Sequence, residues 1–353
     1  MREGSTQPSI KGLLASPGRN KLALFALLLA FASGTFFYAY RYGGLFKGEK
    51  SSSINGWDDN YYYFWLRTVL VDHSVDFSHS ISTCDSWDQG MRDKAMHRAR
   101  TPLGLPRNKY PIGWAITGVP WFLIADLVSG LLNLAGNHVP LDGWAPIYQG
   151  MVVLGQAFYG CISLWFSFQI VARLFPARRA LCGVLLPWLA SPLFVYQTVA
   201  VSMSHGVLFF AATGAWYFTL RISEQPELRR HWMACGCFCA LTVLARNQGA
   251  VLLVYPAALW LRLLFQRRCL TGHAAMGGAC FLLTVLPQLI AWKLLYGAFV
   301  VYSYGGEGFH WLHPHLWDVL FSPLHGWFNW HPAMAIGSLG FFLWVWRERS
   351  LMA

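Results

Sequence analysis

The chain has 353 residues, of which 55% are hydrophobic, 16% aromatic and only 12% charged. Soluble domains carry about 25% charged residues, so the composition excludes an ordinary water-soluble globule and points to a bilayer as the main solvent. The formal net charge of +11 would suggest nucleic acid in a soluble protein. In a polytopic one it reflects basic cytoplasmic loops facing anionic lipid, and no basic patch interleaved with aromatics lies outside the apolar segments.

In chain order, a basic, polar tail over 1–20 precedes the first apolar run, KLALFALLLAFASGTFFYAY at 21–40. Its apolar core is longer than the roughly 7–15 residues of a signal-peptide h-region, so it reads as an uncleaved first span. Further apolar runs fall near 145–172, 180–197, 205–220, 231–245, 248–265, 273–293 and 331–346. Arg173, Arg178 and Arg179, then Arg221, Arg229 and Arg230, then Arg262, Arg267 and Arg268, then Arg347 and Arg349, occupy alternate connections. That alternation is what the positive-inside rule requires. It predicts an all-α polytopic membrane protein, a bundle of about eight transmembrane helices with both termini cytoplasmic.

One more apolar stretch, 110–136, is long enough to cross, but counting it would place every later basic loop outside. Its Pro111, Pro120, Asp126 and glycines suit an interfacial or re-entrant segment over 111–136. With that segment excluded, one long external loop covers 41–144 and a second covers 294–330. No internal repeat is evident, and 21–353 reads as a single membrane domain. The 8 cysteines show no zinc or disulfide spacing. Cys235, Cys237 and Cys239 lie in an apolar run as small hydrophobes, and Cys84 stands alone in the first loop.

The first loop opens with NGWDDNYYYFWLRTVLVDHSVDF at 55–77. Residues 60–71 read as an amphipathic helix, with Tyr61, Phe64, Trp65 and Val69 on one stripe. Tyrosine and tryptophan favour the headgroup level, so this helix is expected along the membrane surface. Asp58 or Asp59 can cap it. Alternatively, a carboxylate there can act as a general base toward an acceptor hydroxyl or amine, or hold a hard divalent cation. Asp72 and Asp76 read as residues that hold the following turn.

Three other stretches collect polar groups on the same side. They are RNKYPIG with Lys109 and Tyr110, SMSHG with His205, and Arg246 followed by Asn247 and Gln248. Arg246 lies between two apolar runs and calls for a partner, either an acid, the interface by snorkelling, or phosphate. A fifth is the loop from Tyr302 to His331, with EGFHWLHPH and FSPLHGWFNWHP, the latter carrying His325. His310, His313 and His315 are spaced too loosely for a metal tract, and Glu307, flanked by glycines, reads as a loop residue.

The order of these pieces resembles the GT-C class of integral-membrane glycosyltransferases, akin to bacterial aminoarabinose and protein O-mannosyl transferases. The likeness runs from a first span through GWDDNYYYFWLRTVLVDHSVDF, KYPIGWAI, MSHG and ARNQGA to FSPLHGWFNWHP. The resemblance implies a fold whose first external loop carries a catalytic aspartate motif, here Asp58 and Asp59. It implies transfer of a sugar from a polyprenyl-phosphate donor to a lipid, glycan or protein acceptor on the outer face of a bacterial inner membrane. Lys109, Tyr110, His205, Arg246 and His325 are then candidates for binding substrate. No metal ligand set and no certain cofactor follow, with a divalent cation left open. The motif departs from several relatives in being Asp-Asp rather than Asp-Glu.

Two other functions stay open from the sequence: a lipid or sugar transporter or flippase, and a truncated, non-catalytic relative. A transporter favours charged or broken helices near the midplane and would depend on residues such as Gln156 and Gln288.

Overall fold

The computed structural model describes residues 21, 24–29, 32, 54–266, 271–308 and 312–347. The expected cytoplasmic tail, most of the first span and His310 lie outside the described residues. Among those described, regular structure is helical, apart from a single antiparallel bridge between Arg100 and Pro106.

The first loop folds into three short helices, α1 (Trp57–Leu70), α2 (Ser78–Ser82) and α3 (Gln89–Met96). Gly56 is the N-cap of α1 and no side chain caps it, so the capping reading of the aspartate pair is not what forms. Asp58 and Asp59 instead occupy the first turn, where a negative charge complements the helix dipole. A Cβ on Gly56 would lie 2.8 Å from Asp59 Oδ2; glycine lets that carboxylate fold back over the helix start.

The amphipathic expectation for α1 is also corrected. Residues 59–68 are buried without interruption, so the helix is enclosed on every side rather than lying on a surface. Trp87, Trp114 and Trp144 surround its Tyr61, Tyr63 and Phe64, with ring centroids 5.3–6.5 Å apart. Arg67 anchors the far end. It is 2% exposed, pairs with Asp72 at 2.5 Å, and donates to Asp142 O and Ser80 Oγ at 3.0 Å. Asp76 accepts from Ser78 N at 2.9 Å and Ser78 Oγ at 2.7 Å, so both later aspartates do hold the turn.

α4 (Gly113–Leu134) is unbroken over 22 residues with Pro120 inside it, so the chain does not turn back there as a re-entrant loop would. It packs antiparallel to the first half of α5 (Pro146–Val171): Phe122 meets Tyr148 and Thr117 bonds Gln156 at 3.0 Å. The second half of α5 packs against α8 (His205–Glu224), through Tyr159–Phe210, Phe166–Tyr217 and Arg173–Glu224. α4 and α8 therefore take different halves of one long helix.

The expected span at 180–197 is two helices, α6 (Ala177–Leu189) and α7 (Pro192–Thr198), bent by 81°. The break falls at Ser191, whose extended backbone is what a following proline enforces. α9 (Arg229–Ala245) ends at an extended Arg246, and a short 3-10 turn, Asn247–Leu253, leads into α10 (Val254–Phe265) and α11 (Thr271–Tyr296). α12 (Leu316–Phe321), α13 (Trp327–Trp330) and α14 (Pro332–Arg347) close the chain.

Among the described residues, four helices are long and apolar enough to cross a membrane: Gly113–Leu134, Pro146–Val171, Asn247–Phe265 and Thr271–Tyr296. The bent α6–α7 pair makes up to five. This is fewer than the eight expected. α9 and α14, at 17 and 16 residues, fall short of the roughly 20 that a perpendicular crossing needs. The segment set aside on charge grounds, α4, is itself long and apolar enough.

Candidate functional site

The starts of α1, α4 and α8 and the ends of α9 and α11 meet at one end of the bundle. Gly113 allows the closest approach: a Cβ there would lie 2.4 Å from the carbonyl of Leu244, so α4 starts directly against the end of α9. Gln288 on α11 accepts from Ile112 N at 2.9 Å, and Tyr296 donates to Asn108 O at 2.8 Å. The opposite end holds the basic cluster: Arg173 and Arg221 share Glu224, and Arg229 bonds His273.

The two aspartates face different partners. Asp59 is buried and accepts from Ser202 Oγ at 2.8 Å, in the turn before α8. Burial raises its pKa, and the Ser202 hydrogen bond opposes that. Asp58 is half-buried and accepts from the hydroxyl of Tyr110. Burial and the Asp58 hydrogen bond together push the Tyr110 phenol well above its ordinary range, so it remains a donor. Tyr62, one turn further along α1, bonds Ser204 at 2.8 Å. Both serines of SMSHG thus tie α1 to α8.

Arg246 Nη1 donates to His205 Nε2 at 2.7 Å, which requires that ring nitrogen to be unprotonated. The His205 ring lies flat on Tyr196, with centroids 3.9 Å apart and planes 6° from parallel. The extended conformation of Arg246 ends α9 and directs the guanidinium across to α8. His205 and Arg246, 41 positions apart, are thus one unit.

Lys109 pairs with Glu307 at 2.5 Å, and its ammonium stands 5.2 Å from the Tyr304 ring centroid. Glu307, read from sequence as a plain loop residue, is a partner of a predicted site residue. The backbone beneath this pair is stitched: Arg107 Nε donates to Ser303 O at 3.1 Å and Ser303 Oγ to Lys109 O at 2.7 Å. Two clefts flank Tyr304 and Glu307. One, of about 180 Å³, is lined by Arg98, Arg107, Lys109 and Tyr110, and the other, of about 400 Å³, by Asn247, Gln248 and Val251.

The structure does not bring His325 to this group; its exposed ring neighbours Trp330, 6.2 Å away. Among the described residues no three histidine, cysteine or acidic side chains converge to hold a metal ion. Asp58 and Asp59 turn to Tyr110 and Ser202 rather than to a common point. Gln156 and Gln288 hold α4, through Thr117, Trp114 O and Ile112 N, and the buried Gln288 Nε2 has no hydrogen-bond partner among the described residues. Glu307 was set aside from sequence as a loop residue, and Ser202, Ser204 and Tyr304, though inside the polar stretches, were not named as site residues. The two serines could have been, since they sit beside His205 in SMSHG.

No curated protein and no solved structure matches the chain. The family model described as dolichyl-phosphate-mannose-protein mannosyltransferase does match, over residues 149–292. That stretch runs from α5 to α11 and includes Ser202, His205 and Arg246. Over that stretch the chain is similar to the dolichyl-phosphate-mannose-protein mannosyltransferase family, in line with the GT-C likeness read from the motifs.

Proposed function

We propose that this protein is a glycosyltransferase that moves a sugar from a polyprenyl-phosphate donor to an acceptor at the outer face of a bacterial inner membrane. The observation that carries the reading is the meeting of Asp58, Asp59, Tyr110, His205 and Arg246 at one end of a bundle whose α5–α11 stretch matches a mannosyltransferase family. The site lies where α4 begins, at the end of the bundle away from the basic cluster of Arg173, Arg221 and Arg229.

In this reading Asp58 is the general base. It is the less buried of the pair and takes the proton of the acceptor hydroxyl or amine as that atom bonds to the anomeric carbon. The bond from the anomeric carbon to the phosphate oxygen breaks, and its electron pair leaves with the polyprenyl phosphate. A phosphate is already a good leaving group, so its charge needs neutralising more than it needs a proton. Arg246, held by neutral His205, supplies that charge. Asp59 is a positioning residue that fixes the first turn of α1 through Ser202.

Transfer of radiolabelled sugar from a polyprenyl-phosphate pool in membranes tests this, with wild type beside Asp58→Asn and Asp59→Asn. Loss of about 10²–10⁴-fold in Asp58→Asn, the usual worth of a general base, is the expected result. Equal transfer by wild type and Asp58→Asn would remove that carboxylate from the chemistry.

A further inference from the structure

The 81° bend between α6 and α7 interrupts backbone hydrogen bonds that an apolar solvent does not replace. It is nevertheless fixed from two sides. Gln197 of α7 is 5% exposed and accepts from Trp188 Nε1, in the last turn of α6, at 2.7 Å, so one hydrogen bond spans the bend. Its amide nitrogen donates to Ser163 Oγ of α5 at 3.0 Å. Gly160 makes room for it there, since a Cβ would lie 3.2 Å from the Gln197 amide carbon.

The residue that this bracket presents is Tyr196. Its ring lies parallel to His205, with centroids 3.9 Å apart. Gly206 lets the start of α8 come this close, for a Cβ there would meet Tyr196 O at 3.4 Å. Among the described residues the Tyr196 hydroxyl makes no hydrogen bond, so its ring face is what it contributes.

We infer that Tyr196 is a positioning residue: its ring fixes the plane of His205, and through it the direction of the Arg246 guanidinium. The bend at Ser191–Pro192 is what delivers that ring. An imidazole nitrogen accepts in the plane of its ring, and the last torsion of a histidine side chain is broad. A parallel ring at contact distance stops that rotation, which keeps the Nε2 lone pair aimed at Arg246 Nη1. Arg246 needs the aim, because its extended backbone places a long side chain just beyond the end of α9. The use of Arg246 at the leaving phosphate rests on the transferase reading; the arrangement of the three side chains does not.

The test uses the full chain in phosphatidylcholine nanodiscs. Diethyl pyrocarbonate probes the free imidazole nitrogen, and mass spectrometry locates the adduct at His205. Tyr196→Leu removes the ring and is expected to speed modification about three- to tenfold, the scale of one aromatic pair; an unchanged rate overturns the inference. Tyr196→Phe keeps the ring and should restore the wild-type rate. In Tyr196→Leu/Arg246→Gln the rate should match that of the faster single variant, because both changes free the same nitrogen. Rates that multiply overturn the coupling. Val195→Ala trims an exposed side chain of the same short helix. A rise equal to that in Tyr196→Leu would assign the effect to a loosened α7 and overturn the role of the ring. In the sugar-transfer assay, Tyr196→Leu should raise donor KM about three- to tenfold with acceptor KM unchanged, and Tyr196→Phe should restore it. The reverse split overturns the link to Arg246. If wild type transfers no sugar, the transferase reading fails while the modification rates still decide what holds His205.

Discussion

Ser202 donates a 2.8 Å hydrogen bond to Asp59 across 143 positions of the chain, binding the first turn of α1 to the turn that precedes α8. The contact joins the aspartate motif to the part of the chain that matches the mannosyltransferase family. Burial holds the Asp59 carboxyl above its ordinary value of 3.8, with the serine hydroxyl pulling the other way. Removing that hydroxyl deletes the largest influence that opposes the burial. Ser202→Ala should therefore raise the Asp59 pKa further. If activity needs ionised Asp59, the acid limb of the pH–rate profile moves to higher pH, and an unmoved limb shows that it does not.

The same carboxyl has a stability signature. A group with a raised native pKa binds its proton more tightly folded than unfolded, so its contribution is present below the unfolded value and is lost as pH rises through the native one. Asp59→Asn lacks this titration. Its melting temperature relative to wild type should climb as pH rises above about 3.8, the unfolded value, and level off beyond the native pKa. A difference that stays flat across that window would mean burial does not govern Asp59.

Tyr110 holds Asp58 through one charge-assisted hydrogen bond. Tyr110→Phe keeps the ring and deletes the donor, so transfer should fall roughly ten- to a hundredfold, the scale of one hydrogen bond to a charged group. The loss should appear in kcat rather than in donor KM. Unchanged kcat would show that Asp58 is held by something else.

Arg67 stands on the structural side of the same helix. Its buried guanidinium serves Asp72, Ser80 and the Asp142 carbonyl together. Arg67→Ala strands Asp72 and is expected to destabilise by about 3–5 kcal/mol. Thermal unfolding in detergent measures it, and a loss under about 1 kcal/mol, the range of exposed pairs, would contradict the burial.

Gly113 tests the meeting of α4 and α9. A methyl group placed 2.4 Å from the Leu244 carbonyl must push backbone against backbone. Gly113→Ala should cost about 1–3 kcal/mol. Gly278→Ala, where nothing lies within 4 Å, should be near neutral by the same melting experiment.

The sequence by itself determined the class of molecule. Scarce charge and long apolar runs leave no solvent for such a chain but lipid, and the order of short polar motifs carried the family likeness that the match over 149–292 bears out. It also placed the helices from α8 to α11 closely, because apolar periodicity and basic loops are local properties. Tertiary contacts decided the rest. Tyr61, Phe64 and Trp65 resemble an interfacial stripe, yet Trp87 packs over Tyr61 and Phe64, Trp144 packs over Phe64, and residues 59–68 of α1 are buried. Hydropathy made 180–197 a single span, but Pro192 bends it by 81°. Lys109 and Arg246 both read as unpartnered cations. Only the fold brings Glu307 to one across 198 positions and His205 to the other across 41, because a partner distant in sequence leaves no mark on either residue's own neighbourhood.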